Sequence, residues 1–182
     1  MSFLQWTSLF FRARRTLAIG VLAALLTQTP AMAQAPEPLP APQGPVILLV
    51  TGAIGVTNTP EGAAFDREML YALGRAEIAT STPWTDGVPV FGGVLARTVF
   101  ERVGAEGTTV QASALNDYTV AVPMADFETY DVLLATEMDG EEMRVSDKGP
   151  IWIVYPRDGE PALQDRRLHD RWVWQLKALE VQ

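Results

Sequence analysis

The sequence predicts an α+β domain: compact, single, and built of mixed sheets with short helices. Three observations carry this reading. Short apolar or alternating runs recur along the chain, short helical patterns are scattered among them, and no regular strand–helix–strand alternation appears. Taken in order, the apolar, β-branched run at residues 46–50 reads as a buried strand continuing towards Val56. Asn58-Thr59-Pro60-Glu61-Gly62 reads as a turn. Asp66 can cap a short helix that places Met69, Leu70 and Leu73 on one face and stops at Gly74. Residues 76–82 alternate as a strand does, and the stretch between Pro83 and Pro89 breaks it.

From Phe91 onward Leu95, Val99 and Val103 recur every four residues, which predicts an amphipathic helix ending at Gly104. Residues 108–112 and 118–122 read as strands around the Asn116-Asp117 turn, with a helical turn at 124–127 after Pro123. Asp139-Gly140 is a hairpin signal between runs at 132–138 and 143–145. Residues 151–155 read as a buried strand ended by Pro156. A polar loop at 157–171 and a closing strand at 172–181 complete the chain.

Organisation and composition narrow the functional classes. Arg12, Arg14 and Arg15 precede a ten-residue apolar core at 17–26, and Ala31-Met32-Ala33 offers a small-x-small cleavage site. Residues 1–33 are therefore read as an export signal. The apolar core is shorter than the roughly 20 residues a spanning helix needs. Arg14-Arg15-Thr16-Leu17 loosely matches a twin-arginine signal, although an ordinary basic leader explains it as well. Residues 34–45 hold five prolines and read as a semi-rigid linker, which leaves 46–182 as the domain. The expected location is periplasmic or secreted, after cleavage near Ala33.

The chain has no cysteine, which excludes disulfides, thiolate metal sites and cysteine nucleophiles. Its formal net charge is −8, and the leader carries three arginines beside no acid, so the remainder is more acidic still. Such a surface repels phosphate backbones, so nucleic acid is not an expected partner.

Several constellations could carry chemistry. Thr51-Gly52-Ala53-Ile54-Gly55 after an apolar strand suggests a dinucleotide turn. The later glycine positions are held by Val56 and Asn58, and a turn follows where a phosphate-capping helix is needed. Glu137, Asp139, Glu141 and Glu142 could pair for acid–base work or hold a hard cation, or simply solvate a hairpin tip. His169, the one histidine, could serve a serine nucleophile, but no Gly-x-Ser-x-Gly elbow accompanies it. Trp172 and Trp174 share a face of the expected last strand, either as core or as a flat wall for a planar ring. Arg157, Arg166, Arg167, His169 and Arg171 could clamp an oxyanion, or could be neutralised by the aspartates among them.

One order of motifs is more specific than any of these alone. Trp84-Thr85-Asp86-Gly87 comes first, followed by Asn116-Asp117-Tyr118-Thr119-Val120 before Pro123. Leu133-Leu134-Ala135 then precedes Met138-Asp139-Gly140, and Gly149-Pro150 precedes Ile153-Val154-Tyr155-Pro156. With the closing strand, this series resembles the molybdopterin-binding domain of the sulfite oxidase family, in the manner of a small exported member, over residues 46–181. The resemblance implies that family's fold and molybdopterin as cofactor. Phe91-Gly92-Gly93-Val94-Leu95 resembles the family's Trp-x-Gly-x-Pro-Leu helix start, and counting back ten residues places Ser81 where the molybdenum-ligating cysteine stands. In an active member Ser81, or a solvent ligand, would complete the metal sphere while the pterin carried electrons.

The resemblance also implies that Trp84, Trp172 and Trp174 wall the cofactor pocket and that Arg166, Arg167 and Arg171 meet phosphate. Where the family has a Ser-x-Lys-Trp segment this chain has Trp172-Val173-Trp174-Gln175. The leading expectation is an exported molybdopterin-binding oxidoreductase-like protein that holds a pterin or a similar planar anionic ligand. The absent cysteine argues against redox catalysis, because an alkoxide is a harder ligand that gives up its proton far less readily than a thiol. The partners expected are a small planar or anionic ligand and a membrane-bound redox or signalling protein. The alternative is a cofactor-free ligand-binding or partner module associated with a membrane signalling protein.

Overall fold

A computed structural model describes residues 37–182, so the expected export signal at 1–33 lies outside the described residues. Two five-stranded sheets share one hydrophobic core. In the first, β1 (Leu48–Gly52) lies between β2 (Ala63–Phe65) and β10 (Leu176–Val181), and β5 (Thr109–Ala114) and β6 (Thr119–Pro123) complete the order β2-β1-β10-β5-β6. The β1–β10 pair is parallel, with Leu49 opposite Ala178, and the other pairs are antiparallel. In the second sheet β4 (Val90–Leu95) lies between β3 (Arg75–Ala79) and β7 (Leu133–Met138). The short β8 (Glu141–Glu142) and β9 (Trp152–Val154) both pair with β7. Strands buried on both faces read as unbroken apolar runs, as Leu133-Leu134-Ala135 and Trp152-Ile153-Val154 do.

The helices are short and follow local signals. In α1 (Arg67–Ala72) Asp66 is the N-cap, accepting from the Met69 backbone N–H at 2.8 Å. In α2 (Ala96–Val103) Gly104 supplies the left-handed residue that ends the helix. Pro123 leads directly into α3 (Met124–Thr129). Asp139 and Gly140 both take positive φ, 52° and 79°, the backbone of a two-residue hairpin turn. The proline-rich segment, expected to be a tether, lies against the domain from Pro38 onward. Leu39 is buried, Arg102 donates to the Pro38 carbonyl at 2.9 Å, and the Gln43 and Gly44 N–H groups donate to Asp66 Oδ2 at 2.7 and 2.8 Å.

Five local expectations are corrected or sharpened. Residues 91–95 are strand, not the start of a helix. A spacing of four is even, so Phe91 and Leu95 also share one face of a strand. Gly92 and Gly93 are poor helix formers, and a Cβ on Gly93 would lie 2.1 Å from the Leu134 carbonyl oxygen. The closing strand starts at Leu176, because Gln175 at φ 51° and a register shift beyond Leu176 interrupt pairing. The hairpin expected through 145 ends at Met143, whose N–H still reaches the Thr136 carbonyl at 2.9 Å, since the Asp147 and Gly149 N–H groups both turn back to the Arg144 carbonyl. The polar loop contains two 3-10 helices, Pro161–Gln164 and Arg166–Arg171. Finally, Thr51-Gly52 ends β1 where Gly52 (φ 85°) lets the chain pass the Val181 backbone, so its glycine serves a close strand approach.

Candidate functional site

The loop between β3 and β4 presents Trp84. The Thr80 N–H closes the loop on the Pro89 carbonyl at 3.2 Å, and the Trp84 N–H donates to Thr82 Oγ1 at 3.1 Å. Thr82 in turn bonds the Thr85 hydroxyl at 2.8 Å. These bonds hold the Trp84 ring among others while leaving it 36 % exposed. Its centroid lies 5.4 Å from Trp174, 5.6 Å from His169, 5.8 Å from Trp172 and 6.2 Å from Trp152. These are edge-on or tilted packings, the arrangement that the ring quadrupole favours. Trp152 is fully buried and stands edge-on to Phe91 at 5.3 Å, which ties the cluster to the second sheet.

Beside this cluster is a cavity of about 330 Å³, lined by Trp84, Trp172 and Trp174 together with Tyr118, Asn116, Ala114, His169, Asp170 and Val173. The β5–β6 turn brings in Asn116 and Tyr118. Asn116 Oδ1 accepts from the Tyr118 N–H, and the Tyr118 hydroxyl donates to the Asp170 carbonyl at 3.0 Å. Burial raises the Tyr118 phenol above its ordinary pKa, and the nearby Asp170 charge adds to the shift. His169 Nε2 is buried and has no hydrogen-bond partner among the described residues. A larger groove of about 750 Å³ lies along Pro45, Ile47, Arg67, Met143 and Val145. It contains none of the expected site residues and no aromatic ring.

The three expected tryptophans therefore meet at one cavity, although Trp172 and Trp174 stand before the last strand instead of on it. Ser81 does not line that cavity. Its N–H donates to Asp158 Oδ2 at 2.6 Å, its hydroxyl donates to Asp158 Oδ1, and Arg157 donates to the same hydroxyl oxygen at 2.8 Å. The Ser81 hydroxyl, followed by its backbone N–H, holds the Asp158 carboxyl below the usual carboxylate range.

The expected arginine clamp is also corrected, since none of Arg166, Arg167 and Arg171 lines the cavity. Arg166 is exposed on the surface. Arg167 is 88 % exposed and folds back on Asp165, whose carboxyl it lowers to about 2. Arg171 pairs with Asp126 Oδ2 at 2.6 Å, and that oxygen also accepts from the Tyr155 hydroxyl at 2.9 Å. Burial, then the Asp126 charge, pushes the Tyr155 phenol far up. Planar forks that already grip a carboxylate have little left to offer a ligand phosphate.

The hairpin acids are likewise engaged separately. Glu137 accepts from Arg75 at 2.6 Å and from Tyr71 at 2.7 Å, Glu142 pairs with Arg67 at 2.6 Å, and Asp139 Oδ1 accepts from the Val90 N–H. No group of three His, Cys, Asp or Glu side chains is arranged to hold a metal among the described residues.

Asn116, Tyr118, His169 and Asp170 are site residues that sequence reasoning did not assign to the pocket. Asn116-Asp117-Tyr118 signals a turn, and nothing in its local pattern reveals that the turn meets the Arg166–Arg171 helix.

Comparison with known proteins agrees with the fold. Residues 69–158 match the family model described as the oxidoreductase molybdopterin binding domain. No curated protein sequence matches the chain. The crystal structure of the sulfane dehydrogenase SoxCD from Paracoccus pantotrophus superposes with a TM-score of 0.54 at 19% identity, over 74% of this chain and 37% of that one. At that identity the likeness is one of fold, and this chain spans little more than a third of the solved chain's length. A central match from α1 to the end of β9, on a fold of the sulfite oxidase type, makes this chain a member of the oxidoreductase molybdopterin-binding domain family.

Proposed function

We propose that this chain is an exported ligand-binding member of its family, seating a planar, pterin-like ring against Trp84, Trp172 and Trp174 without molybdenum-centred redox chemistry. The cavity of about 330 Å³ that those rings line carries the reading. Pockets for organic ligands span roughly 300–1,000 Å³ and combine apolar walls with a few polar groups. Here the walls are indole faces, and the polar groups are the Asn116 amide, the His169 ring and the Tyr118 hydroxyl. A flat ring laid against fixed indoles buries apolar area at little cost in protein order.

The residues do not fit a molybdenum centre. The oxygen that would have to bind the metal is Ser81 Oγ, which donates a hydrogen bond to Asp158 and accepts one from Arg157. A guanidinium 2.8 Å from that oxygen opposes an approaching metal cation and is itself always charged. Export rests on the basic, apolar and small-residue order of residues 1–33.

The test is protein expressed with its own leader and recovered from outside the cytoplasm. Acid oxidation of the purified protein should release a fluorescent ring compound, and elemental analysis should find molybdenum well below one atom per chain. Trp84→Ala should abolish the copurified ring. Stoichiometric molybdenum, or protein retained in the cytoplasm with its leader intact, would contradict the proposal.

A further inference from the structure

We infer that the tryptophan-walled cavity selects a positively charged ring, an N-alkylated heteroaromatic cation, over neutral and anionic rings of the same shape. This rests on the ring-binding reading above and adds the charge of the ligand. Four aromatic side chains that line the cavity, Trp84, Trp172, Trp174 and Tyr118, come from three separate segments of the chain. The face of each ring carries the negative lobe of its quadrupole, so a cation gains from every face it meets, and most of all at tryptophan.

The balance of full charges points the same way. Among the described residues, no arginine or lysine lines the cavity. Arg167 and Arg171 are drawn off by Asp165 and Asp126. Lys148 lies 5.5 Å from the centre of Trp152, behind the lining residues, and pairs with Asp147 at 3.1 Å. By contrast Asp170 is among the lining residues, and its carboxylate has no cationic partner among the described residues. Its charge reaches the Tyr118 hydroxyl strongly enough to help raise that phenol.

The −8 formal charge of the chain adds a long-range field that gathers cations. A carboxylate or phosphate entering this space would meet aromatic rings and an aspartate, and the donors on the lining residues (the Asn116 amide, the His169 ring, the Tyr118 hydroxyl and the indole N–H groups) carry no full positive charge of the arginine or lysine kind. A neutral ring would gain the stacking contacts and lose the charge contribution.

Three probes of one shape isolate charge: 1-methylnicotinamide as the cation, nicotinamide as the neutral ring and nicotinate as the anion. Each is titrated into the full chain while tryptophan fluorescence and calorimetric heat are followed. The cation should bind on the order of tenfold more tightly than the neutral ring, with nicotinate weakest. Asp170→Asn should bring the cation-to-neutral ratio towards one, by weakening the cation more than the neutral ring. Trp84→Ala should weaken all three.

Equal affinity for cation and neutral ring, or tightest binding by nicotinate, overturns the inference. If in that case the neutral ring still binds and depends on Trp84, the ring-binding reading survives alone. If no ring of any charge perturbs the indoles, both readings fall.

Discussion

Arg157 donates to the Ser81 hydroxyl oxygen across 2.8 Å, so a permanent cation stands against the atom that the family resemblance aligns with a metal-bound sulfur. Asp158 completes the arrangement by accepting from both the hydroxyl and the backbone N–H of Ser81. The result is a closed polar cluster that joins the Trp84 loop to the segment following β9. The Ser81 hydroxyl and the Asp158 carboxylate are already engaged, while Arg157 Nε is buried without a partner among the described residues, and the cluster works as a latch between two loops.

Restoring the thiol should therefore fail to restore a metal. Ser81→Cys, expressed with its own leader, should contain no more molybdenum by elemental analysis than the parent. It should also lose on the order of 1–2 kcal/mol in urea unfolding, because a thiol is a weak donor to Asp158. Molybdenum approaching one atom per chain in that variant would show that the Arg157 contact yields to a metal.

The glycine pair in β4 gives a sharp contrast. A Cβ at Gly93 would meet the Leu134 carbonyl oxygen at 2.1 Å and the Ala135 Cα at 2.8 Å, both backbone atoms of the paired strand. A Cβ at Gly92 would meet the flexible Glu137 carboxylate at 3.1 Å. Gly93→Ala should yield insoluble protein or a loss of several kcal/mol, and Gly92→Ala should stay within about 1 kcal/mol of the parent by chemical denaturation. Similar behaviour of the two would contradict the strand assignment for residues 90–95.

Asp66 ties the proline-rich segment to α1 and makes stability depend on pH. Its carboxyl lies below the usual range, chiefly through the Met69 N–H and then through the Gly44 N–H. A carboxyl lowered in the folded state contributes stability that is fully present above its unfolded value of about 3.9 and is lost as pH falls through the folded value. The urea midpoint should fall between pH 7 and pH 3, and Asp66→Asn should show a smaller fall. Asp66→Ala should cost about 1–2 kcal/mol at pH 7, as loss of a helix cap does. An unchanged pH dependence in Asp66→Asn would remove the carboxylate from the explanation.

Arg171 and Arg167 should separate cleanly. Arg171 is largely covered and shares Asp126 with the buried Tyr155 hydroxyl, so Arg171→Ala strands a carboxylate beside a buried phenol. A loss of roughly 2 kcal/mol in thermal or urea unfolding is expected. Arg167→Ala, at a solvated pair with Asp165, should leave both the unfolding midpoint and ring binding unchanged. Weaker ring binding in Arg167→Ala would reinstate the phosphate clamp.

Much of the fold was legible in the chain because its signals act over a few residues. Asp66 and Gly74 bracket α1, Gly104 stops α2, Asp139-Gly140 turns a hairpin, and each does so through its own backbone or side-chain geometry. Residues 91–95 misled because a spacing of four suits both a helix and a strand. Only the close passage of Leu134 and Ala135 against Gly93 decides between them. The three tryptophans of the site were legible as flat apolar groups, while their neighbours Asn116 and Tyr118 were not, since they arrive by way of a distant turn.

By itself the sequence determined what kinds of element form, the acidic surface, the lack of any thiolate ligand and the family. Those follow from composition, short-range sterics and the order of motifs along the chain. Only the tertiary structure decided which charged groups remain available. Asp126 is 45 residues from Arg171 and Asp158 is 77 from Ser81, yet each removes its partner from ligand chemistry by a direct contact. A charge acts over a few ångströms in space and takes no account of separation in sequence, so Arg171, which looked like part of a clamp, became a strut to Asp126, and the cavity was lined by the indoles.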